Sequence, residues 1–362
     1  MLRIYPLFRR FPMGYHSKTK PAGFFIAAAF IFCSAAALFA GGGGDTGGKS
    51  SKEISIAVFV PGVMSGSPIY EMLAEGVRKA GSEEPGAAVT VIEGGFNQAE
   101  WEPKLTALAA TGSYDLIVSS NPSLPALASS VSVKFPKQKF LLLDGEISGN
   151  PMIYTMRYNQ REQAYVAGYL AAMVAQEGKT GVGKTSRIGL LAGQEYPAMN
   201  TIMLPAYLEA AKAIDPAFEV DFRVVGNWYD AGKGAELASD MIRNKSAVIL
   251  CVAGGANEGA VQAAAETGAK VIWYDTNGYA VRPGTVVGSA ILRQDKAAYE
   301  QTRRFLDGTL PFGTAEIVGM KEGYVDFVED DPNYIAAVSP GIREKQAALL
   351  SRLRSGELDL GE

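Results

Sequence analysis

The chain has 362 residues, of which 48% are hydrophobic and 20% are charged, and its formal net charge is −4. Single hydrophobic cores stop growing near about 250–300 residues, so this length predicts two domains or lobes. A slightly acidic chain lacks the basic surface that nucleic acids require, so we expect no nucleic-acid partner. The composition neither favours nor excludes binding of a small neutral ligand.

The first forty residues have the layout of a secretory signal. Basic residues precede an apolar run at 24–40, and a glycine-rich stretch follows it. We predict a signal peptide over 1–40, a flexible linker over 41–53, and export to the periplasm or cell surface. A retained membrane anchor is the alternative. Gly42 rather than a cysteine follows Leu38-Phe39-Ala40-Gly41, so lipidation is not predicted there and a soluble exported form is favoured.

Beyond the linker, apolar strands alternate with amphipathic helices in two series of similar size. The first series has predicted strands at 54–60, 88–93, 116–119, 140–144 and 153–157, with helices at 68–80, 100–110 and 124–134. The second has helices at 161–176, 201–213, 234–242 and 259–266, with strands at 188–191, 222–225, 247–252 and 270–273. A strand at 286–291, a helix at 295–307 and a closing hairpin of 316–320 and 324–328 follow. This alternation predicts two α/β lobes with parallel sheets covered on both faces, without residue-level repetition between the series.

Residues 222–242 are the most informative stretch. A β-branched run ends at Gly226, and the loop Asn227-Trp228-Tyr229-Asp230 leads into a helix. In open parallel sheets, ligands bind beyond the carboxyl ends of the strands. Two adjacent aromatic side chains and a carboxylate at such a point can stack on a flat ring and accept hydrogen bonds. The alternative is that both rings pack against a neighbouring loop.

The other strand ends carry residues of the same kinds. Glycines allow close backbone approach, small polar side chains form directed hydrogen bonds, and aromatic rings supply flat apolar area. Carboxylates there, including Asp144, can accept hydrogen bonds from sugar or polyol hydroxyls. The predicted ligand-binding residues at these ends are Ser65, Ser67, Tyr70, Phe96, Ser120, Asn121, Gln194, Tyr196, Met199, Gly254, Gly255, Asp275 and Asn277.

Two further patterns bear on enzymatic activity. Residues 178–185 match the phosphate-binding pattern G-x-x-x-x-G-K-[ST], but a helix precedes the loop and a strand follows it, which is the reverse of the required order. The only histidine, His16, lies in the predicted signal peptide, and Cys251 lies in an apolar strand. We therefore predict no catalytic residues, no metal site, no cofactor and no internal disulfide.

Three segments, FPKQKF at 135–140, NQREQA at 159–164 and VAGGA at 252–256, resemble the basic membrane protein (BMP) family of ABC-transporter substrate-binding lipoproteins. The likeness extends over about residues 54–334, and the best-known members bind purine nucleosides. It implies a periplasmic-binding-protein type I clamshell of two doubly wound parallel-sheet lobes with three crossovers, and hinges near Arg157, Ala290 and Thr314. The implied lobes are 54–156 plus 290–314 and 157–289 plus 315–362. It also implies a monomer that closes on its ligand and delivers it to a membrane permease with ATPase subunits.

The resemblance also suggests the ligand. It implies ligand contacts by Asn159, and it matches Asp275 and Arg293 to ribose-binding positions of the nucleoside receptors. The chain departs from those receptors at residues 65–70, where an Asp-rich loop is replaced, and at Trp228 beside Tyr229. Segments 65–70, 119–123, 194–199 and 226–230 are similar to the riboflavin-binding branch. We therefore expect riboflavin, with a purine nucleoside as the alternative, and a nucleoside or sugar hydrolase using Asp230 or Asp275 as a less favoured one.

Overall fold

A computed structural model describes residues 53–361 of the chain. The predicted signal peptide and all but the last residue of the predicted linker lie outside these residues. Within 53–361, the helices are all too short or too polar to traverse a bilayer.

The elements of the first lobe come first along the chain. They are β1 (Ile54–Val60), α1 (Pro68–Ser82), β2 (Ala87–Glu93), α2 (Trp101–Ala110), β3 (Leu116–Ser120), α3 (Leu124–Lys134), β4 (Lys139–Leu143) and β5 (Ile153–Tyr158). The second lobe begins with α4 (Gln160–Glu177), β6 (Arg187–Ala192), α5 (Leu204–Ile214), β7 (Glu219–Val224), α6 (Ala231–Arg243), β8 (Val248–Val252), α7 (Asn257–Thr267), β9 (Lys270–Asp275) and β10 (Val286–Leu292). The chain then continues through α8 (Gln294–Leu306), β11 (Ala315–Val318), β12 (Val325–Phe327), α9 (Pro332–Ala337) and α10 (Pro340–Arg354).

The two sheets have equivalent strand orders. The first runs β2-β1-β3-β4-β5-β11 and the second β7-β6-β8-β9-β10-β12. Neighbouring strands pair in parallel except β12, which runs antiparallel to β10. The predicted class, two α/β lobes with parallel sheets in a binding-protein clamshell, is confirmed.

Apolar residues fill both faces of each sheet. In β1, Ile56 and Val58 belong to the cluster under α1, whereas Ala57 and Phe59 belong to the cluster with α2 and α3. Successive side chains of a strand point to opposite faces, so a strand that is covered on both faces must be apolar throughout. This is why the nearly continuous apolar runs identified the strands correctly.

Three segments connect the lobes. The first crossing is at Asn159 between β5 and α4, the second at Arg293 between β10 and α8, and the third over residues 319–324 between β11 and β12. Helix α8 packs on α1 so closely that a Cβ added at Gly76 would lie 2.3 Å from the carbonyl oxygen of Asp295. Residues 294–318 therefore belong to the first lobe.

These crossings correct the boundaries that the resemblance implied. Residues 290–292 lie in the second sheet, since Ala290 pairs with Phe327. Residues 315–318 lie in the first, since Ala315 pairs with Thr155. The predicted closing hairpin is consequently wrong, because β11 and β12 belong to different sheets. A short strand at the edge of each lobe has the same apolar pattern as a hairpin strand, and only the pairing distinguishes them.

Two other local predictions have clear outcomes. Residues 178–186 connect the end of α4 to the start of β6, so the helix–loop–strand order at the phosphate-binding pattern is confirmed. Helix α5 begins later than predicted because Met199–Met203 forms a single π-helical segment before it. Helices α9 and α10 were not predicted from the sequence.

Candidate functional site

The carboxyl ends of the two sheets meet at an interlobe cleft. Phe96, which follows β2, and Tyr229, which follows β7, have ring centroids 6.1 Å apart. Both rings are largely exposed, at 60% and 67% of their surface. These residues come from different lobes, so their contact marks the rim at which the lobes meet.

The second lobe presents an aromatic wall formed by Trp228, Tyr196 and Gln194. The indole Nε1 of Trp228 donates to the side-chain oxygen of Gln194 at 3.1 Å. The rings of Trp228 and Tyr196 lie 6.4 Å apart at 42°. The hydroxyl of Tyr196 donates to the sulfur of buried Met203 at 3.3 Å, within the π-helical segment that Met199 begins. Trp228 keeps 36% of its surface exposed, so the wall is both fixed and accessible.

Local sequence explains how Trp228 is held. The side-chain oxygen of Asn227 accepts from the backbone N–H groups of Tyr229 and Asp230, which folds the loop into an Asx turn. The carbonyl of Trp228 accepts from the N–H of Gly255 at 2.8 Å. A Cβ added at Gly193 would lie 2.4 Å from the Trp228 ring, so the wall requires glycine at this position.

The first lobe contributes a tyrosine and an amide. Tyr70 on α1 is hydrogen-bonded by the Asn121 side chain, and its hydroxyl donates to the carbonyl of Pro61 at 3.3 Å. Burial, together with the negative charge of Asp144, raises the pKa of Tyr70 to about 12 despite the Asn121 bond. The phenol is therefore neutral at any physiological pH and can donate one hydrogen bond.

The cleft floor contains two carboxylates at equivalent places in the two lobes. Asp144 directly follows β4 and Asp275 ends β9, the third strands from the same edge of each sheet. Both have left-handed backbones, with φ of 54° and 70°. Loss of surrounding water raises the pKa of each carboxyl, and the charge of Asp275 raises that of Asp144 further.

One turn of α4 holds both carboxylates. The Gln160 amide donates to Asp144 Oδ1 and the Gln163 amide to Asp275 Oδ1, each at 3.1 Å. The side-chain oxygens of both glutamines and the hydroxyl of Tyr274 are buried without a partner among the described residues. Buried polar atoms are normally hydrogen-bonded, so these groups could form hydrogen bonds with a ligand in the cleft.

Several predicted ligand-binding residues are engaged within the protein. Asp230 caps α6 by accepting from the N–H of Lys233 at 2.8 Å. Asn159 caps α4 through its oxygen, and its amide donates to the carbonyl of Gly361 at 3.0 Å. Asn277 donates to Asp331 at 3.1 Å, and Arg293 pairs with Asp326 at 3.3 Å. Each of these four has a structural partner outside the cleft floor.

The remaining predicted residues lie around the cleft. Ser65 and Ser67 belong to the exposed loop before α1, and Ser120 is buried at the end of β3. Gly254 and Gly255 form a turn against the Trp228 carbonyl. The structure thus brings together Tyr70, Asn121, Phe96, Gln194, Tyr196, Trp228, Tyr229, Gly254, Gly255 and Asp275, whereas Met199 is fully buried in the hydrophobic core.

Sequence reasoning omitted three residues of the floor from the predicted ligand-binding set: Asp144, Gln160 and Gln163. A signal for the glutamines existed, because they belong to the NQREQA segment that carried the family resemblance. A signal for Asp144 is the spacing Lys139–Asp144, which is repeated by Lys270–Asp275. Only the equivalent strand positions show that this spacing is meaningful.

Comparison with known proteins agrees with this geometry. A family profile described as "ABC transporter substrate-binding protein PnrA-like" matches residues 53–359. Basic membrane protein A1 of Borrelia garinii subsp. bavariensis is 26% identical over 292 residues, 78% of this chain and 83% of that protein. The ABC transporter nucleoside-binding protein BmpA of Lactococcus lactis subsp. cremoris is 25% identical over 242 residues, 60% of this chain and 64% of that protein.

Among solved structures, an ABC transporter solute-binding protein of Aeropyrum pernix K1 has the same fold. It superposes with a TM-score of 0.73 at 23% identity and covers 84% of this chain and 92% of its own. This similarity shows the two-lobed fold and does not identify the ligand.

Proposed function

Because the chain belongs to the Bmp family of PnrA-like ABC transporter substrate-binding proteins, we propose that it captures riboflavin between its lobes and delivers it unchanged to a membrane permease. Proteins of this family are solute-binding components and not enzymes, and they act outside the cytoplasm. Riboflavin would thus be a transported ligand and not a resident cofactor.

The accessible aromatic wall is the observation that carries the choice of riboflavin. The wall contains the rings of Trp228 and Tyr196, and the rings of Tyr229 and Phe96 lie beside it at the rim. Together these rings offer more flat apolar area than a single stacking ring, which suits isoalloxazine, a wide flat heterocycle. An offset stack adds about 0.5–1.5 kcal/mol beyond the area that it buries. The carboxylates of Asp144 and Asp275 supply acceptors for the hydroxyls of a ribityl chain.

Capture follows from the geometry of the lobes. The hydrogen-bonded wall of the second lobe offers a face for the ring before closure, and Phe96 of the first lobe reaches the rim only when the lobes come together. A ligand shifts the open–closed equilibrium only by binding the closed form more tightly. Contacts made by both lobes at once provide that difference, and a permease complex would recognise the closed form.

A purine nucleoside is the second candidate. The observation that favours it is the Lactococcus lactis relative, whose name gives nucleoside binding. A purine is a smaller flat ring, and a ribose presents hydroxyls to the same carboxylates.

The experiment is spectroscopic and calorimetric. Freshly purified protein is examined for the visible absorbance of a flavin, and protein freed of ligand is titrated with riboflavin, inosine and adenosine. Visible absorbance with micromolar or tighter riboflavin binding supports the proposal. Tight binding of inosine or adenosine without riboflavin binding would establish the second candidate instead.

A further inference from the structure

The two carboxylates of the cleft floor come from opposite lobes but are attached to one helical turn. Gln160 and Gln163 are three residues apart on α4, so they are neighbours on one helix face. Each donates its amide N–H to one carboxylate at 3.1 Å. Asp144 moves with the first lobe and Asp275 with the second, so the separation of the carboxylates depends on how far the lobes are closed.

The charged and titratable groups around this pair lie on several elements of both lobes. Arg157 on β5 is the cation whose charge acts on Asp144, and its Nε also donates to Glu146 at 2.8 Å. Among the described residues, several phenols also feel the charges of the pair, and they carry no charge at physiological pH. They are Tyr70 on α1, Tyr158 on β5, Tyr196 before the π-helical segment and Tyr274 on β9.

We propose that Asp144 and Asp275 act as one acceptor pair that closes only around a proton or a hydrogen-bond donor of the ligand. The empty protein then closes with proton uptake, and a neutral ligand bearing hydroxyl, amide or amino donors takes the place of that proton. In one respect this inference rests on the proposed function, since the lobes must open and close over a solute. It does not depend on which solute is bound.

The electrostatics of the pair agree with this inference. Removal of water raises the pKa of both carboxyls in this arrangement, and the charge of Asp275 raises that of Asp144 further. An open cleft returns water to them, so each approaches the ordinary aspartate value of about 3.9. The closed form therefore binds more protons over the interval between the two sets of pKa values. Closure of the empty protein is strongest below that interval and is lost as pH rises through it.

The test measures the interlobe distance without a ligand. Val133 of the first lobe is 82% exposed and Ile335 of the second 46%, so spin labels on Val133→Cys and Ile335→Cys report closure. Cys251, the free cysteine of the described residues, is buried, and burial raises the pKa of its thiol to about 12, so it does not compete for label. Distances are measured by pulsed electron resonance at about pH 5 and about pH 8.5, on either side of the raised range.

We expect the labelled protein to shift toward the short interlobe distance at the lower pH. Asp144→Asn and Asp275→Asn should each favour the short distance at both pH values, because an amide removes the repulsion. Asparagine tolerates the left-handed backbone of these positions, so both variants should fold. Glu258→Gln is the matched control, since it removes an exposed second-lobe charge at the start of α7.

Two results would overturn the inference. One is a distance distribution that does not change with pH in the parent protein. The other is an unchanged pH response in the protein carrying both asparagines. If either of these results is found while riboflavin or a nucleoside still binds, the inference about the carboxylate pair is rejected and the proposed function is not affected. If the interlobe distance responds to pH as expected but neither ligand binds, the inference about the carboxylate pair is supported and the proposed function is rejected.

Discussion

The cleft edges of the two lobes are built differently on equivalent sheets. In the second lobe, Trp228 is fixed by Gln194, by Gly255 and by the turn at Asn227. In the first lobe, Phe96 is 60% exposed and its ring contact is with Tyr229 of the other lobe. The second lobe is therefore a preformed surface for a ring, whereas the first lobe completes the site after closure. The same strand order can thus carry two different roles in binding.

Trp228→Ala should have the largest effect on riboflavin affinity. Losing a largely buried aromatic contact in the complex removes about 2–3 kcal/mol, so riboflavin affinity should fall about 30- to 140-fold. Phe96→Ala, in the lobe that completes the site only on closure, should reduce riboflavin affinity clearly less. Calorimetric titration of both variants measures the difference, with Trp228→Phe as the conservative control. Equal losses at the two positions would contradict the assignment of the preformed wall to the second lobe.

The phosphorylated flavin FMN should bind about 30-fold more weakly than riboflavin. A phosphate placed near Asp144 and Asp275 adds like charges at short range, which costs about 1–4 kcal/mol in a partly hydrated site. Parallel titrations with the two flavins measure the ratio. Equal affinities would mean that the ribityl chain points away from the cleft floor.

Gly193→Ala replaces none of the proposed ligand-binding side chains, but it should weaken riboflavin binding about tenfold by displacing the Trp228 ring. The added Cβ would lie 2.4 Å from the Trp228 ring, so the ring must leave its hydrogen bond with Gln194. Gly232→Ala is the matched control, because its added Cβ has only an ordinary contact at 3.4 Å. The fluorescence of Trp228 should change in the first variant and stay unchanged in the second. Unaltered affinity in Gly193→Ala would show that the ring position does not matter.

Asp230→Ala should have the smallest effect on the ligand and a visible effect on stability. Loss of the α6 cap costs about 1 kcal/mol, which lowers Tm by about 2–4 °C for a lobe of this size. Riboflavin affinity should change by less than about threefold, within the coupling expected of neighbouring loops. Asp230→Ser should restore Tm, because serine also caps helices. A large loss of affinity in both variants would return Asp230 to the ligand-binding set.

Residue type alone could not distinguish ligand-binding residues from residues that cap helices or stabilise turns. Asp230 and Asn277 were predicted as ligand-binding because amides and carboxylates at strand ends bind solutes, and Asn159 was predicted from the family resemblance. The same side chains are favoured wherever a helix or turn begins, and here they have partners there. Trp228 and Tyr229 were easier to place, since an exposed aromatic pair at a strand end has fewer structural explanations.

The repeated spacing of Lys139–Asp144 and Lys270–Asp275 illustrates the opposite difficulty. Both segments form the third strand from the same edge of their sheet and end in a left-handed aspartate. Within the sequence alone, two matching residues among six are indistinguishable from chance. Their significance depends on knowing that β4 and β9 are equivalent.

The alternation of apolar strands and amphipathic helices could be predicted from the residues, and with it two covered parallel sheets that have polar and aromatic residues at their ends. Those properties are local, because they follow from side-chain periodicity and turn chemistry over a few residues. The points where the chain crosses between the lobes, and the contacts of Gln160 and Gln163 with carboxylates of different lobes, depend on the folded arrangement. Such contacts join residues far apart in the chain, Gln163 and Asp275 among them, and no periodicity of either segment encodes the distance between them.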